Sequence, residues 1–177
     1  MKKMFIWRAG LGACLWCMTS LAYAGAEGKT AKAVITATDA GAAVLGEVNF
    51  VEKGEGVEAT AHLAGVLAGM HGFHVHENGS CADAGQAAGA HFNPDSHEHG
   101  LLAKDGLAGA HAGDLGNITI NADGSGDYSD FLKGLNLSEG KYNITGKAVI
   151  LHEKVDDFGQ PTGNAGGRIG CGIIEIQ

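Results

Sequence analysis

The sequence is poor in proline, aromatic side chains, cysteine and positive charge. Among 177 residues there are 2 prolines, 4 cysteines, 6% aromatic residues, and 12 basic against 20 acidic residues. The net charge of −8 argues against nucleic acid or an anionic membrane as a partner, because both would repel the chain. Glycine is abundant, with 30 residues, and inside a helix it costs about 1 kcal/mol relative to alanine. Long helices are therefore largely excluded.

The N-terminal segment has the pattern of a secretory signal peptide. Lys2, Lys3 and Arg8 form a basic start, residues 9–20 are mainly small and apolar, and residues 22–24 (Ala-Tyr-Ala) fit a small-x-small cleavage site. The apolar run is too short to cross a bilayer, which takes about 20 residues. We therefore predict an exported protein, periplasmic or secreted.

The predicted organisation is a cleaved signal, 1–24, followed by one domain, 25–177. Cleavage removes three basic residues and no acidic ones, so the net charge changes from −8 to −11. The remaining cysteines, Cys81 and Cys171, are an even pair in an oxidising compartment and predict a disulfide, with free thiols or metal thiolates as the alternatives. An alternative for the N-terminal segment is a lipoprotein box with Cys14 lipidated.

Short runs of alternating apolar and polar residues recur along the mature chain, separated by turn residues. Alternation with a period of two residues, without helical periodicity, is typical of β-strands. Eight strands are predicted, at 31–38, 44–51, 57–66, 72–77, 117–121, 126–132, 147–152 and 169–176. The pattern indicates an all-β sandwich or barrel. Two long glycine-rich connections, 78–116 and 153–168, interrupt it, and such loops in a compact domain are usually functional.

Nine histidines are many for a chain of this length, and imidazole is the commonest metal ligand in proteins. His74 and His76 are two residues apart in a predicted strand, so both face one side, with Cα atoms roughly 6–7 Å apart. The loops and a strand end add further candidate ligands: His91, His99, His111, Asp114 and His152. Three or four imidazoles with a vacant position suit a redox copper, whereas three histidines and an aspartate in a closed tetrahedron suit structural zinc.

Five segments, in this order, carry a resemblance to a known family: GFHVHE (72–77), AHFNP (90–94), HAGDLGN (111–117), LHEKVDD (151–157) and GNAGGRIGCG (163–172). Together they resemble the Cu/Zn superoxide dismutases, in particular the secreted bacterial members, over essentially the whole mature chain. The resemblance implies an eight-stranded Greek-key sandwich or barrel, an enzyme that dismutates superoxide to O2 and H2O2, and one copper and one zinc per subunit.

The resemblance also implies a role for each candidate ligand. The copper ligands would be His74, His76, His91 and His152. The zinc ligands would be His91, His99, His111 and Asp114. His91 belongs to both sets, which implies a catalytic imidazolate that bridges the metals and is protonated during turnover.

Further roles follow from the same resemblance. Asp156 matches the carboxylate that hydrogen-bonds a copper histidine and a zinc histidine, here His74 and His99. Arg168 matches the arginine beside the open copper position, where it would attract the superoxide anion. Thr162 would lie across the mouth of that channel.

The cysteines Cys81 and Cys171 match the disulfide of the family. Residues 101–110 make the zinc loop a few residues longer than in compact members, which leaves its path open. Asn78 stands where animal cytosolic members carry an aromatic residue at their dimer contact, so the sequence leaves open whether this chain is a monomer or a homodimer.

The alternative function is a periplasmic copper/zinc storage or buffering protein on the same fold. Arg168 argues against it, because storage needs no anion-attracting side chain.

Three histidines receive no ligand role. His62 alternates with apolar residues and is predicted to lie on the surface. His71 is predicted to pack behind the ligands. His97 competes with His99 for the zinc set, and the spacing from His91 in the family favours His99.

Overall fold

The structure is a computed structural model that describes residue 1 and residues 28–177, so the predicted signal 1–24 lies, apart from Met1, outside the described residues. The described part is built from nine strands: β1 (Thr30–Ala37), β2 (Val44–Lys53), β3 (Gly56–Leu63), β4 (Gly69–His76), β5 (Asp114–Ile120), β6 (Gly126–Lys133), β7 (Ala148–His152), β8 (Arg168–Ile173) and β9 (Glu175–Ile176). A 3-10 turn, Gln86–Ala88, and the short helix α1, Leu102–Asp105, lie in the first long loop. Among these residues, no helix is long and apolar enough to cross a membrane.

The strands form one antiparallel sheet in the order β5-β4-β7-β8-β1-β2-β3-β6, with β9 paired to β1. The pairs β3–β6 and β4–β7 join non-consecutive strands, as Greek-key topology requires. Tyr128 on β6 donates its hydroxyl to Leu115 O on β5 at 3.3 Å, so the two edges meet in a nearly closed barrel. The predicted eight-stranded all-β fold is confirmed. The last predicted strand is split into β8 and β9, because Ile174 turns into the core and donates to Lys147 O.

The barrel interior is filled by alternate side chains of the strands. Ile35, Phe50 and Leu132 are fully buried there, and burial of each stabilises the fold by about 1.5–3 kcal/mol. On β4, Phe73 and Val75 belong to this core. Because side chains alternate along a strand, the histidines between and beside them face the other side of β4, where the two long loops cover them.

Two long loops, 77–113 and 153–167, cover this outer face. The disulfide Cys81–Cys171 joins the first loop to β8, with Cα atoms 5.7 Å apart, so the predicted disulfide is confirmed. A disulfide is consistent with an extracellular or periplasmic protein. The helix α1 occupies the extra length of the first loop and buries Leu102 against the core.

Candidate metal centre

Four histidines form a first cluster on the outer face of β4. His74 and His76 come from β4, and His152 ends the neighbouring strand β7. An isolated β-bridge to His76 adds His91 from the first loop. All four are buried, and each offers a ring nitrogen within 4.8 Å of the others. We call His74, His76, His91 and His152 the four-histidine cluster.

A second cluster lies beside it because the first loop is bound to β4 through backbone hydrogen bonds. Phe92 N–H donates to Val75 O, Val75 N–H donates to Gly113 O, and Gly113 N–H donates to Phe92 O, each at 2.9 Å. A Cβ atom on Gly113 would lie 2.1 Å from Val75 O, so only glycine allows this approach. The residues next to these anchors then meet in a buried group that we call the aspartate cluster: His91, His99, His111 and Asp114.

In the four-histidine cluster, hydrogen bonds made by one ring nitrogen direct the other one inwards. His74 donates through Nε2 to Asp156 at 2.8 Å, whereas His76 and His152 approach loop carbonyls through Nδ1 at 3.0 and 3.4 Å. Nε2 of His76 and Nε2 of His152 then lie 3.4 Å apart. Nδ1 of His74 is buried without a hydrogen-bond partner. Such an orphaned nitrogen is costly unless it binds something else, such as a metal ion.

The aspartate cluster has the dimensions of a tetrahedral metal site. Asp114 Oδ1 lies 2.8, 3.0 and 3.1 Å from Nδ1 of His91, His99 and His111. Metal–ligand bonds of about 2.0 Å give a tetrahedron with edges of about 3.3 Å. His99 Nδ1 is close to Asp114 but does not meet hydrogen-bond geometry and has no other partner. The candidate donor atoms of the four residues lie within 4.8 Å of one another, and three imidazoles with one carboxylate suit Zn²⁺.

His91 belongs to both clusters. Its Nδ1 lies 3.4 Å from Nδ1 of His111, in the aspartate cluster. Its ring centroid lies 4.2 Å from that of His74 and 4.9 Å from that of His76, in the four-histidine cluster. Since Nδ1 is used on one side, Nε2 remains for the other, so one imidazole can serve two metal ions.

Asp156 ties the two clusters together from behind. Its carboxylate accepts from His74 and, at 2.9 and 3.0 Å, from Nε2 of His99. Asn117 on β5 holds its backbone through two reciprocal bonds: Asn117 Nδ2 donates to Asp156 O at 2.9 Å, and Asp156 N–H donates to Asn117 Oδ1 at 2.7 Å. The sequence reasoning missed Asn117, and its place at the end of the HAGDLGN segment was the available signal.

Burial keeps three histidines of the four-histidine cluster neutral: His74, His76 and His152. It lowers the pKa of His74 to about 4, of His152 to about 3 and of His76 to about 2. These rings therefore carry no positive charge at neutral pH, and neutral imidazole is the form that binds metal.

The aspartate cluster instead favours positive charge. Burial raises the pKa of Asp114, but contacts with His111, His91 and His99 outweigh it and hold that pKa far below the usual range. Burial lowers the pKa of His99, but the carboxylates of Asp114 and Asp156 outweigh it and raise that pKa to about 9. A proton on His99 and a metal cation would therefore compete for the aspartate cluster.

A cavity of about 420 Å³ opens onto the four-histidine cluster. Arg168 lies in its wall, and its guanidinium is fixed because Nη1 and Nη2 each donate to a carbonyl, Gly85 O and Gly89 O, at 2.6 Å. Thr162 lines the same cavity. The lining also includes residues that sequence reasoning did not single out: Gln86, Ala90, Asn164, Ala165 and Gly166.

The other three histidines lie outside both clusters. His62 is exposed on β3, as predicted. His97 remains outside, and it is His99 whose ring enters the aspartate cluster. His71 is buried behind the ligands, with Nδ1 at 2.9 Å from His152 O and Nε2 at 2.9 Å from Leu67 O.

Fold and site together define a β-barrel protein with two adjoining groups of metal-binding side chains that share one histidine. Residues 44–174 match the family model described as copper/zinc superoxide dismutase (SODC). The chain belongs to this family. The crystal structure of the clock protein EA4 is similar, with 33% sequence identity and a TM-score of 0.73 over 85% of this chain and 96% of that chain.

Proposed function

We propose that the protein is a superoxide dismutase, an enzyme that converts two superoxide anions and two protons into O2 and H2O2. The observation that carries the proposal is a shared histidine, His91, between two buried clusters, one of which opens onto a cavity lined by Arg168. Bound copper supplies a Cu(II)/Cu(I) couple for the electron transfers, and bound zinc supplies fixed positive charge without redox chemistry.

We assign one copper and one zinc to each subunit on the basis of the donor sets. Four buried imidazoles beside an open cavity suit copper, and the aspartate cluster suits zinc because its carboxylate closes a tetrahedron. The copper ligands are His74, His76, His91 and His152. The zinc ligands are His91, His99, His111 and Asp114. Asp156 keeps the rings of His74 and His99 in the orientation that directs their Nδ1 atoms at the two sites.

Superoxide is an anion, and the mature protein carries a proposed net charge of −11, so approach over most of the surface is unfavourable. Arg168 provides positive charge in the wall of the cavity, and Thr162 adds a hydroxyl there. Attraction of the anion by this local positive charge weakens as salt is added, because counter-ions screen it. His91 is the residue placed to hold and release a proton at Nε2 while its Nδ1 remains with the aspartate cluster.

We also propose that residues 1–24 are a signal peptide and that the protein acts in the periplasm or outside the cell. The disulfide Cys81–Cys171 supports an oxidising compartment. The intact mass of exported protein tests this: a chain that begins at Gly25 is expected, and an exported chain that retains the segment, or carries lipid on Cys14, contradicts it.

The ligand assignment is tested with His152→Ala, and His62→Ala serves as a matched control because His62 is exposed and lies outside both clusters. We expect His152→Ala to lose bound copper and most of the acceleration of superoxide decay, because one of four ligands is removed, whereas the control should resemble the wild type. Full activity of His152→Ala rejects the copper assignment. Tight binding of both metals by the wild type without any turnover would instead favour a storage or buffering protein.

A further inference from the structure

Gln160, in the second long loop, uses both polar atoms of its side chain on one residue of the first loop. Its Oε1 accepts from the backbone N–H of His99 at 3.0 Å, and its Nε2 donates to His99 O at 2.8 Å. The two residues are 61 positions apart in the chain. Two reciprocal hydrogen bonds fix both the distance and the orientation of the backbone segment, because the side-chain amide cannot turn about one bond without breaking the other.

Gln160 is one of three residues in a short segment that contact His99 from different sides. Asp156 accepts hydrogen bonds from the Nε2 edge of the His99 ring. Phe158 stacks on the ring face, with centroids 6.3 Å apart and planes 20° from parallel. Phe158 N–H also donates to Asp156 Oδ1 at 2.8 Å, which links these contacts. The segment 156–160 thus contacts the ring edge, the ring face and the backbone of His99.

This support matters because His99 lies inside a loop. His91 is held by the β-bridge to β4, and Asp114 is the first residue of β5. His99 has no such strand position, and its ring must still place Nδ1 3.0 Å from Asp114 Oδ1. A shift of its backbone would move that nitrogen away from the other three donors of the aspartate cluster.

We propose that Gln160 is a positioning residue for the zinc site. By binding both backbone polar groups of His99, it holds the loop where Nδ1 of that histidine meets the other three donors. The proposal rests on the proposed function only in taking the aspartate cluster as the zinc site. Residues that orient metal ligands without touching the metal change affinity by about 10- to 100-fold when replaced.

The test compares zinc binding by Gln160→Ala and Gln160→Glu with binding by the wild type. The glutamate variant is nearly isosteric, but its carboxylate cannot donate to His99 O. Asp157→Ala is the matched control, because Asp157 bonds only within the second loop, to Gly159 N–H and Asn164 Nδ2. Two readouts are used: the zinc dissociation constant, from competition with a chelator, and the visible spectrum of Co²⁺ placed in the zinc position, which reports ligand geometry.

We expect both Gln160 variants to bind zinc about tenfold more weakly or worse and to show an altered Co²⁺ spectrum. The control should stay within about twofold of the wild type, as is usual for exposed substitutions. Unchanged affinity and spectrum in the Gln160 variants overturn the proposal, as does an equal loss in Asp157→Ala, which would indicate general loosening of the loop. If the alanine variant does not fold, the glutamate variant decides. Superoxide decay is measured on wild-type protein separately, so a failure of the proposed function leaves the zinc result interpretable.

Discussion

Gly163 lies against the carboxylate that links the two clusters, and its replacement by alanine gives a sharp test of that link. Its φ of +77° is a left-handed conformation that side chains disfavour. A Cβ atom there would lie 1.9 Å from Asp156 Oδ1 and 2.7 Å from Nε2 of His99. Real Cβ contacts are longer than 3.0 Å, so the carboxylate has to move by about an ångström.

Two separate costs follow for Gly163→Ala. The left-handed backbone costs roughly 1–2 kcal/mol of unfolding free energy. Displacement of Asp156 breaks its 2.9 Å bond to His99 and disturbs its 2.8 Å bond to His74. Loss of such an orienting carboxylate weakens metal binding by about 10- to 100-fold. We therefore expect both a less stable apoprotein and weaker zinc binding.

Gly146→Ala is the matched control, because Gly146 has a φ of +75° but no atom within 4 Å of its added Cβ. Urea unfolding of the apoproteins should show a loss of about 1–2 kcal/mol for Gly146→Ala and at least as much for Gly163→Ala. Chelator competition should show normal zinc affinity for the control alone. Wild-type zinc affinity in Gly163→Ala, or an equal loss in both variants, would show that displacement of Asp156 does not weaken the zinc site.

Three further predictions concern the disulfide, the cavity wall and the buried histidine behind the ligands. Replacing Cys81 and Cys171 together by alanine should lower the unfolding free energy by up to about 4.6 kcal/mol, which is the chain-entropy value for a sequence separation of 90. A loss below about 1 kcal/mol in urea unfolding would contradict this expectation. Arg168→Ala should slow superoxide decay and flatten its dependence on ionic strength, because the local positive charge is removed; an unchanged salt dependence argues against steering by this residue. His71→Leu should cost about 1–3 kcal/mol, because it removes the buried imidazole that contacts His152 O and Leu67 O, and unaltered thermal unfolding would show that these contacts do not stabilise the fold.

The strands and the histidine pair on β4 could be predicted because their signals are local. Alternation along 72–77 places Phe73 and Val75 on one side and His74 and His76 on the other, and the structure has this arrangement. The disulfide could be predicted from two remaining cysteines and an oxidising compartment. These inferences need only a residue and its near neighbours.

The features that sequence reasoning missed depend on pairs that are distant in the chain. Gln160 binds a residue 61 positions away and Asn117 binds one 39 positions away, through side-chain amides that have no periodic signature. The helix α1 is four residues long, too short for helical periodicity to be visible. Ile174 breaks the last strand because the core accepts its side chain, which depends on tertiary packing.

The proposed function requires that the two clusters hold metals and that the loaded protein turns over superoxide. The most direct measurement is the rate of superoxide decay with protein carrying copper and zinc, protein carrying zinc alone and apoprotein, after removal of unbound metal. We expect acceleration that is proportional to the amount of copper-loaded protein and absent from the other two samples. Protein that binds one copper and one zinc and leaves the decay rate at that of the apoprotein would contradict it.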